Sequence, residues 1–240
     1  MAILEQLPED WDRALAVVAH PDDLEYGAAS AVKRWTKQGK KIAYLLLTKG
    51  EAGIAGLDPE LTAEVRQQEE IGSAAVVGVD DVTFLDFPDG VLEHTLDLRR
   101  EITKVIRNKQ PELVLTFNHH RTWPGGRLNT SDHMAAGQAA IAAVQSSGNQ
   151  WIFPELAEEN IEPWGGIRYL AVCGSPKLTH AVDISETIKA GVESLQQHER
   201  YLAGISSTPD EARLMLVRDA QRAGEQAGLK LAVNFEMLRF

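Results

Sequence analysis

The sequence predicts an α/β fold: three layers, Rossmann-like, with a mostly parallel sheet. Two observations predict it. Short β-rich runs alternate along the chain with longer stretches of helical periodicity, the order that βαβ units produce. The runs are also apolar almost without interruption, as in Ala14-Leu15-Ala16-Val17-Val18, which implies strands covered by helices on both faces.

The first strand, residues 14–18, ends at Ala19-His20-Pro21, and a helix follows over residues 24–38. Residues 41–48 form a second strand, 59–77 a helix and 82–87 a third strand. After a helix over 96–109, Pro111 cannot continue it and sets the start of a fourth strand at 112–117. A helix over 131–146 precedes two further strands, 167–173 and 179–182. Helices over 185–203 and 209–227 then lead to a last strand at 229–234. No repeat, low-complexity tract or long linker interrupts this order, so residues 1–240 read as a single domain.

With 24 Lys+Arg against 35 Asp+Glu, the formal net charge is −11. Nucleic acid and anionic membranes both need a basic face, so neither is expected as the main partner. The longest apolar runs, such as Ala43-Tyr44-Leu45-Leu46-Leu47, fall short of the roughly 18 residues of a membrane span. Residues 1–12 carry acidic side chains and no apolar stretch of a secretory leader. The single Cys173 leaves no internal disulfide and no multi-cysteine metal centre, and its expected strand makes it a core residue. A cytoplasmic protein is expected, with the oligomeric state left open, a homo-oligomer included.

In parallel sheets the active crevice lies at the carboxyl ends of the strands. There the sequence places His20-Pro21-Asp22-Asp23-Leu24-Glu25 after strand one and Thr48 to Gly53 after strand two. Pro88-Asp89-Gly90 follows strand three. Asn118-His119-His120-Arg121 follows strand four and leads through a glycine-rich loop to Asn129-Thr130-Ser131-Asp132-His133. Histidine and carboxylate thus gather at one edge, where core packing does not require them.

His20 and Asp23, three apart at a strand-to-helix turn, converge on one point while Asp22 faces elsewhere. One imidazole nitrogen and one carboxylate oxygen suit zinc, and His133, early in a helix, supplies a third ligand with a fourth position left for water. One Zn2+ per chain is therefore expected. Asp22, next to a ligand but free of the metal, is placed as general base. Asp132 is expected to orient a ligand histidine. A plainer reading stays open at this point: Asp22 and Asp23 cap the following helix, and His133 is a partly exposed helix residue. His119 and His120 carry a weaker signal, because neighbours at a strand end point to opposite sides.

Ala19-His20-Pro21-Asp22-Asp23-Leu24-Glu25-Tyr26-Gly27 resembles the AHPDD motif of the LmbE-like, or PIG-L, zinc-dependent N-deacetylases. Four further segments are similar in order and placement: Leu47 to Gly53, Arg66-Gln67-Gln68-Glu69-Glu70, Leu85-Asp86-Phe87-Pro88-Asp89-Gly90, and Asp132-His133 at the family's H-P-D-H position. The resemblance implies hydrolysis of the acetamide on an N-acetylated amino sugar or its conjugate. It implies His20, Asp23 and His133 as zinc ligands, Asp22 as base, and Arg66 and Asp89 as substrate contacts. Trp123, in the glycine-rich loop with Arg127, is expected to stack on a sugar ring.

Three departures accompany the resemblance. Thr130 and Ser131 replace the histidine and proline of H-P-D-H, so the oxyanion role passes to Thr130 or, by position, to His119, His120 or Arg121. Ala29-Ser30 replaces a glycine pair, and the segment ending at His198 matches only loosely. His198 is expected as a solvated helix residue. Two alternatives accompany the deacetylase reading: an amidase for a bulkier amide, such as a thiol-sugar conjugate, and a non-catalytic sugar binder. A dinucleotide site is disfavoured, since the first turn lacks G-x-G-x-x-G and its carboxylates would repel a pyrophosphate.

Overall fold

A computed structural model describes residues 4–240. Residues 1–3, the start of the segment read against a leader, lie outside it. The described residues form one eight-stranded sheet: β1 (Glu5–Gln6), β2 (Arg13–Val18), β3 (Lys41–Leu46), β4 (Asp81–Phe84), β5 (Leu113–Phe117), β6 (Tyr169–Cys173), β7 (His180–Asp183) and β8 (Ala232–Leu238). Their spatial order is β1-β7-β8-β6-β5-β2-β3-β4. Strand β8 pairs antiparallel with β6 and β7, and every other pairing is parallel.

Alternation along the strands assigns two cores. Ala14, Ala16 and Val18 of β2, with Ile42, Tyr44 and Leu46 of β3, pack under α2 (Ala29–Lys37), α3 (Pro59–Val77) and α9 (Pro209–Ala227). Leu15 and Val17, with Ala43 and Leu45, pack under α4 (Leu96–Lys109) and α5 (Ser131–Ser147). Both faces of the central strands are therefore buried, as the uninterrupted apolar runs require. The chain leaves β2 towards β3 on one side and returns with β5 on the other. The switch point thus lies between β2 and β5, where a crevice opens at the strands' carboxyl ends.

Three expected elements differ. The helix over 24–38 is broken at Ala28 (φ −144°) into α1 (Asp23–Gly27) and α2. Apolar periodicity runs through the break because Leu24, Ala28, Ala29 and Val32 are all buried, so the sequence shows no boundary there. The helix over 185–203 divides at Gln197-His198 into α7 (Ile188–Gln196) and α8 (Glu199–Gly204). The last strand starts later, at Ala232, because Gly228 caps α9 in the left-handed region and the Leu229 N–H still donates to Gly224 O. The edge strand β1 and the short α6 (Glu155–Glu158) are additional.

Candidate active site

His20 follows β2, Asp23 opens α1 and His133 lies in the first turn of α5. The three bring one ligand atom each to within 4.8 Å of one another. His133 Nε2 is 3.0 Å from Asp23 Oδ1, and His20 Nδ1 is 3.8 Å from the same oxygen. Each donor is held from behind. Asp23 Oδ2 accepts the N–H groups of Ala19 and His20, both at 3.0 Å. Asn129 Nδ2 donates to the carbonyls of Asn118 and His120, which fixes its Oδ1 as the acceptor for His133 Nδ1–H at 3.0 Å. The lone pair of a neutral His133 is then on Nε2, facing Asp23. His20 Nε2–H points at Asp89 Oδ1 (3.1 Å) and Asp132 Oδ2 (3.4 Å), which aims Nδ1 inward. Two imidazoles and a carboxylate with tautomers set by outer partners are the donor set of a divalent metal ion.

The same contacts set the charges of these groups. Burial opposes the charge on His20, yet Asp132, Asp23 and Asp89 together raise its pKa well above the usual value. Asp23 is buried, but His133 and His20 hold its carboxyl far below the usual carboxylate range. Asp23 is thus held as a carboxylate by the two imidazoles beside it.

Asp22 takes the left-handed region (φ 109°), a strained backbone for a residue with a side chain. That turn separates its carboxylate from that of Asp23. Arg66 Nη2 lies 3.1 Å from Asp22 Oδ1, and Tyr201, like the Arg66 charge, favours the ionised Asp22 carboxylate. Burial raises the Asp22 pKa more than the Arg66 charge lowers it. Arg66 is itself 2 % exposed. Its guanidinium also donates to Pro21 O and, at 3.3 Å, to Gly50 O, and it lies 4.2 Å from the centre of the Tyr201 ring. A Cβ at Gly50 or Gly53 would meet that guanidinium within 2.5 Å, so these turn glycines make room for it.

Behind Asp22 lies a sealed polar nest. Glu70 Oε2 accepts Asp22 N–H at 3.2 Å, and His198 Nε2 stands 3.7 Å from both Glu70 Oε2 and Glu25 Oε2. Ser73 Oγ donates to Glu25 Oε1 at 2.5 Å. His198 is 0 % exposed, not the solvated helix residue expected. The α7–α8 break carries its ring inward between two carboxylates. Glu25, Glu70, His198 and Tyr201 were not assigned roles from the sequence. Glu25 and Glu70 stand inside the family-like segments, a usable signal, whereas nothing local marks Tyr201.

The remaining candidates separate. His20, Asp22, Asp23, Arg66, Asp89, Trp123, Thr130 and His133 all line one cleft of about 1130 Å³. Within it, Arg66 and Asp89 spend polar atoms on the protein: Asp89 Oδ2 accepts Ala52 N–H at 2.9 Å and Oδ1 faces His20. Trp123 packs edge-on against His133 (5.6 Å between ring centres) and Phe117 (5.3 Å). Thr130 is the N-cap of α5, its Oγ1 accepting His133 N–H at 3.3 Å. Asp132 anchors the loop after β4 by accepting Gly90 N–H (2.7 Å) and Leu92 N–H (3.2 Å). His119 and His120 do not line the cleft. His120 pairs instead with Glu236 at 2.6 Å. No helix among the described residues is long and apolar enough to cross a membrane.

A switch-point crevice holding His, Asp and His beside a separately oriented aspartate has residues that could support metal-assisted hydrolysis. Comparison with known proteins gives the class a family. Residues 15–144 match the family profile described as PIG-L, GlcNAc-PI de-N-acetylase. The chain is 30 % identical over 194 residues, 79 % of its length and 70 % of the relative's, to diacetylchitobiose deacetylase of Thermococcus kodakarensis. It therefore belongs to the PIG-L family and is a hydrolytic N-deacetylase.

Solved structures carry the fold more widely. N,N'-diacetylchitobiose deacetylase of Pyrococcus horikoshii superposes with a TM-score of 0.86 at 22 % identity, covering 96 % of this chain and 85 % of that one. The 4-carboxy-2-hydroxymuconate hydratase of Pseudomonas putida reaches 0.75 at 18 % identity, covering 95 % and 97 %. The same sheet thus serves a hydratase, so the reaction must be argued from the site.

Proposed function

We propose that this chain is a zinc-dependent hydrolase removing the N-acetyl group from an N-acetylated amino sugar of N-acetylglucosamine type or from its conjugate. The observation that carries the reading is the division of labour at His20-Pro21-Asp22-Asp23. The left-handed turn at Asp22 sends one carboxylate to the converging histidines and the other to Arg66 in the same cleft. His20, Asp23 and His133 would hold the zinc, a fit to the tetrahedral N/O preference of that ion. When bound, the ion supplies Lewis acidity that polarises a carbonyl and acidifies water near neutral pH.

The protein's own groups do the rest. The Asp22 carboxylate accepts a proton from the attacking water and returns it to the departing amine nitrogen. Arg66 and Tyr201 hold that carboxylate in place rather than contacting the sugar. Thr130 accepts from His133 N–H, so its own hydroxyl proton is free to donate towards a carbonyl oxygen in the cleft. Trp123 and Arg127 form one wall and Tyr26 and Ile188 contribute apolar surface elsewhere, suiting a sugar ring and its aglycone.

Acetate release from N,N'-diacetylchitobiose and N-acetylglucosamine, measured beside zinc content, tests the reading. Asp22→Asn should keep its zinc and lose roughly 10²–10⁴-fold in turnover. Near wild-type turnover in that variant would remove Asp22 from the mechanism. The cleft is larger than an acetyl group needs, which gives the bulkier amide its one supporting observation. Faster release of longer acyl groups than of acetate would select it. Saturable sugar binding without acetate release would instead select the non-catalytic binder.

A further inference from the structure

We propose a second metal site, apart from the cleft, formed by His119, His120 and Glu236. The three come from the end of β5 and from β8, and none of them lines the cleft. Phe235 and Met237 of β8 pack in the α2/α9 core, so by strand alternation Glu236 projects to the opposite face of the sheet, the side of α5. There the three residues offer one ligand atom each within 4.8 Å of one another. His120 Nε2 lies 2.6 Å from Glu236 Oε2, and the rings of His119 and His120 are 4.0 Å apart centre to centre. Two imidazoles and a carboxylate are again a zinc donor set, whose tetrahedral ligand atoms sit about 3.3 Å apart for bonds of about 2 Å.

Three further features suit an ion. His119 Nδ1 is buried with no hydrogen-bond partner, a costly state for a polar atom that has no role. Its close approach is built in: a Cβ at Gly137 of α5 would stand 2.6 Å from His119 Cβ and 2.8 Å from Phe117 O. Glu236 is buried, and Ser175 Oγ donates to its Oε2 at 2.5 Å, which orients the carboxylate as outer partners do at metal sites.

The site would be structural. Asn129 Nδ2 donates to His120 O at 2.9 Å while Asn129 Oδ1 holds His133 Nδ1. An ion at His120 would therefore brace the loop that fixes a ligand of the first site. The proposal does not depend on the zinc reading of the cleft, and the variants keep the two apart.

Tag-free protein stripped with a chelator, reloaded with zinc chloride and passed through gel filtration is analysed for zinc per chain. Relative to wild type, His119→Ala and Glu236→Gln should each lose one zinc, and His133→Ala should lose the other. The double variant His133→Ala/His119→Ala should hold none. Equal zinc in wild type, His119→Ala and Glu236→Gln overturns the proposal, whatever His133→Ala does. A measurement without variants guards against misfolding: zinc loading should protect His120 from carbethoxylation, mapped by mass spectrometry. Unchanged labelling of His120 in the zinc-loaded wild type overturns it as well.

Discussion

Asp22 has titratable groups on two sides, and the two sides are built differently. Towards the cleft, His20, Asp23 and His133 each use one polar atom on a fixed partner and aim another at a common point. Away from it, Glu25, Glu70 and His198 turn inward on one another, and Glu25 Oε2, Glu70 Oε1 and both ring nitrogens of His198 find no hydrogen bond. The cleft side keeps access, with side-chain exposures of 15 % for His20 and 13 % for His133, whereas His198 has none. Charge that is oriented and reachable can bind an ion. Charge that is sealed mainly sets the shape and stability of what lies in front of it. Changes on the cleft side should therefore alter metal and turnover, and changes behind should alter folding.

The sharpest way to break this contrast is His198→Ala. It leaves two buried carboxyls facing a void, and losing one partner of a buried charged group costs about 3–5 kcal/mol. Urea unfolding should show that loss, with zinc per folded chain unchanged. A stable His198→Ala protein that fails to hold zinc would reverse the roles assigned to the two sides. On the cleft side, Asn129→Ala frees the His133 tautomer, and zinc affinity should fall roughly 10–100-fold. A competitive chelator titration measures it, and unfolding should move less than for His198→Ala.

Glu70 offers a subtler test. Burial first, and the Glu25 charge second, push its carboxyl well above the usual 4.5. Its folded pKa exceeds its unfolded one, so the folded state holds the proton more tightly. The associated stability is present in full below the unfolded value and is lost as pH rises from about 4.5 through the folded value. Glu70→Gln mimics the protonated carboxyl, so it should flatten that part of the stability–pH curve and stay within about 1 kcal/mol of wild type at its acidic end. An unchanged slope would mean that Glu70 does not carry the titration. The smallest effect is expected from Thr130→Ala, which removes the α5 N-cap at about 1 kcal/mol. Thr130→Ser should restore stability, and a turnover loss that Ser also repairs would support the hydroxyl as a donor in the cleft.

Much of this was legible in order along the chain. The uninterrupted apolar runs of β2 and β3 signalled burial on both faces, and the histidines and carboxylates after β2 and β5 marked the chemical edge of the sheet before any pairing was known. The helix breaks at Ala28 and His198 were not legible, because buried apolar residues continue the helical period across the first and nothing local forces the second. The final placement of β8 was also hidden, since its partners β6 and β7 are chosen by pairing across the sheet, not by its own pattern. His119 and His120 were oxyanion candidates by position alone; the actual partner of His120, Glu236, lies 116 residues later in the chain.

The sequence by itself determined the layered α/β architecture, the strand ends that carry chemistry, and the set of His20, Asp22, Asp23 and His133 with the family they resemble. Period and motif are local properties, and local sterics and solvation enforce them. Only the tertiary structure decided that Arg66 pairs with Asp22, that His198 is sealed between Glu25 and Glu70, and that His120 faces away from the cleft. Those outcomes depend on which distant carboxylate shares a low-dielectric space with which cation or imidazole, and that proximity is fixed only when helices and strands far apart in sequence close around the same point.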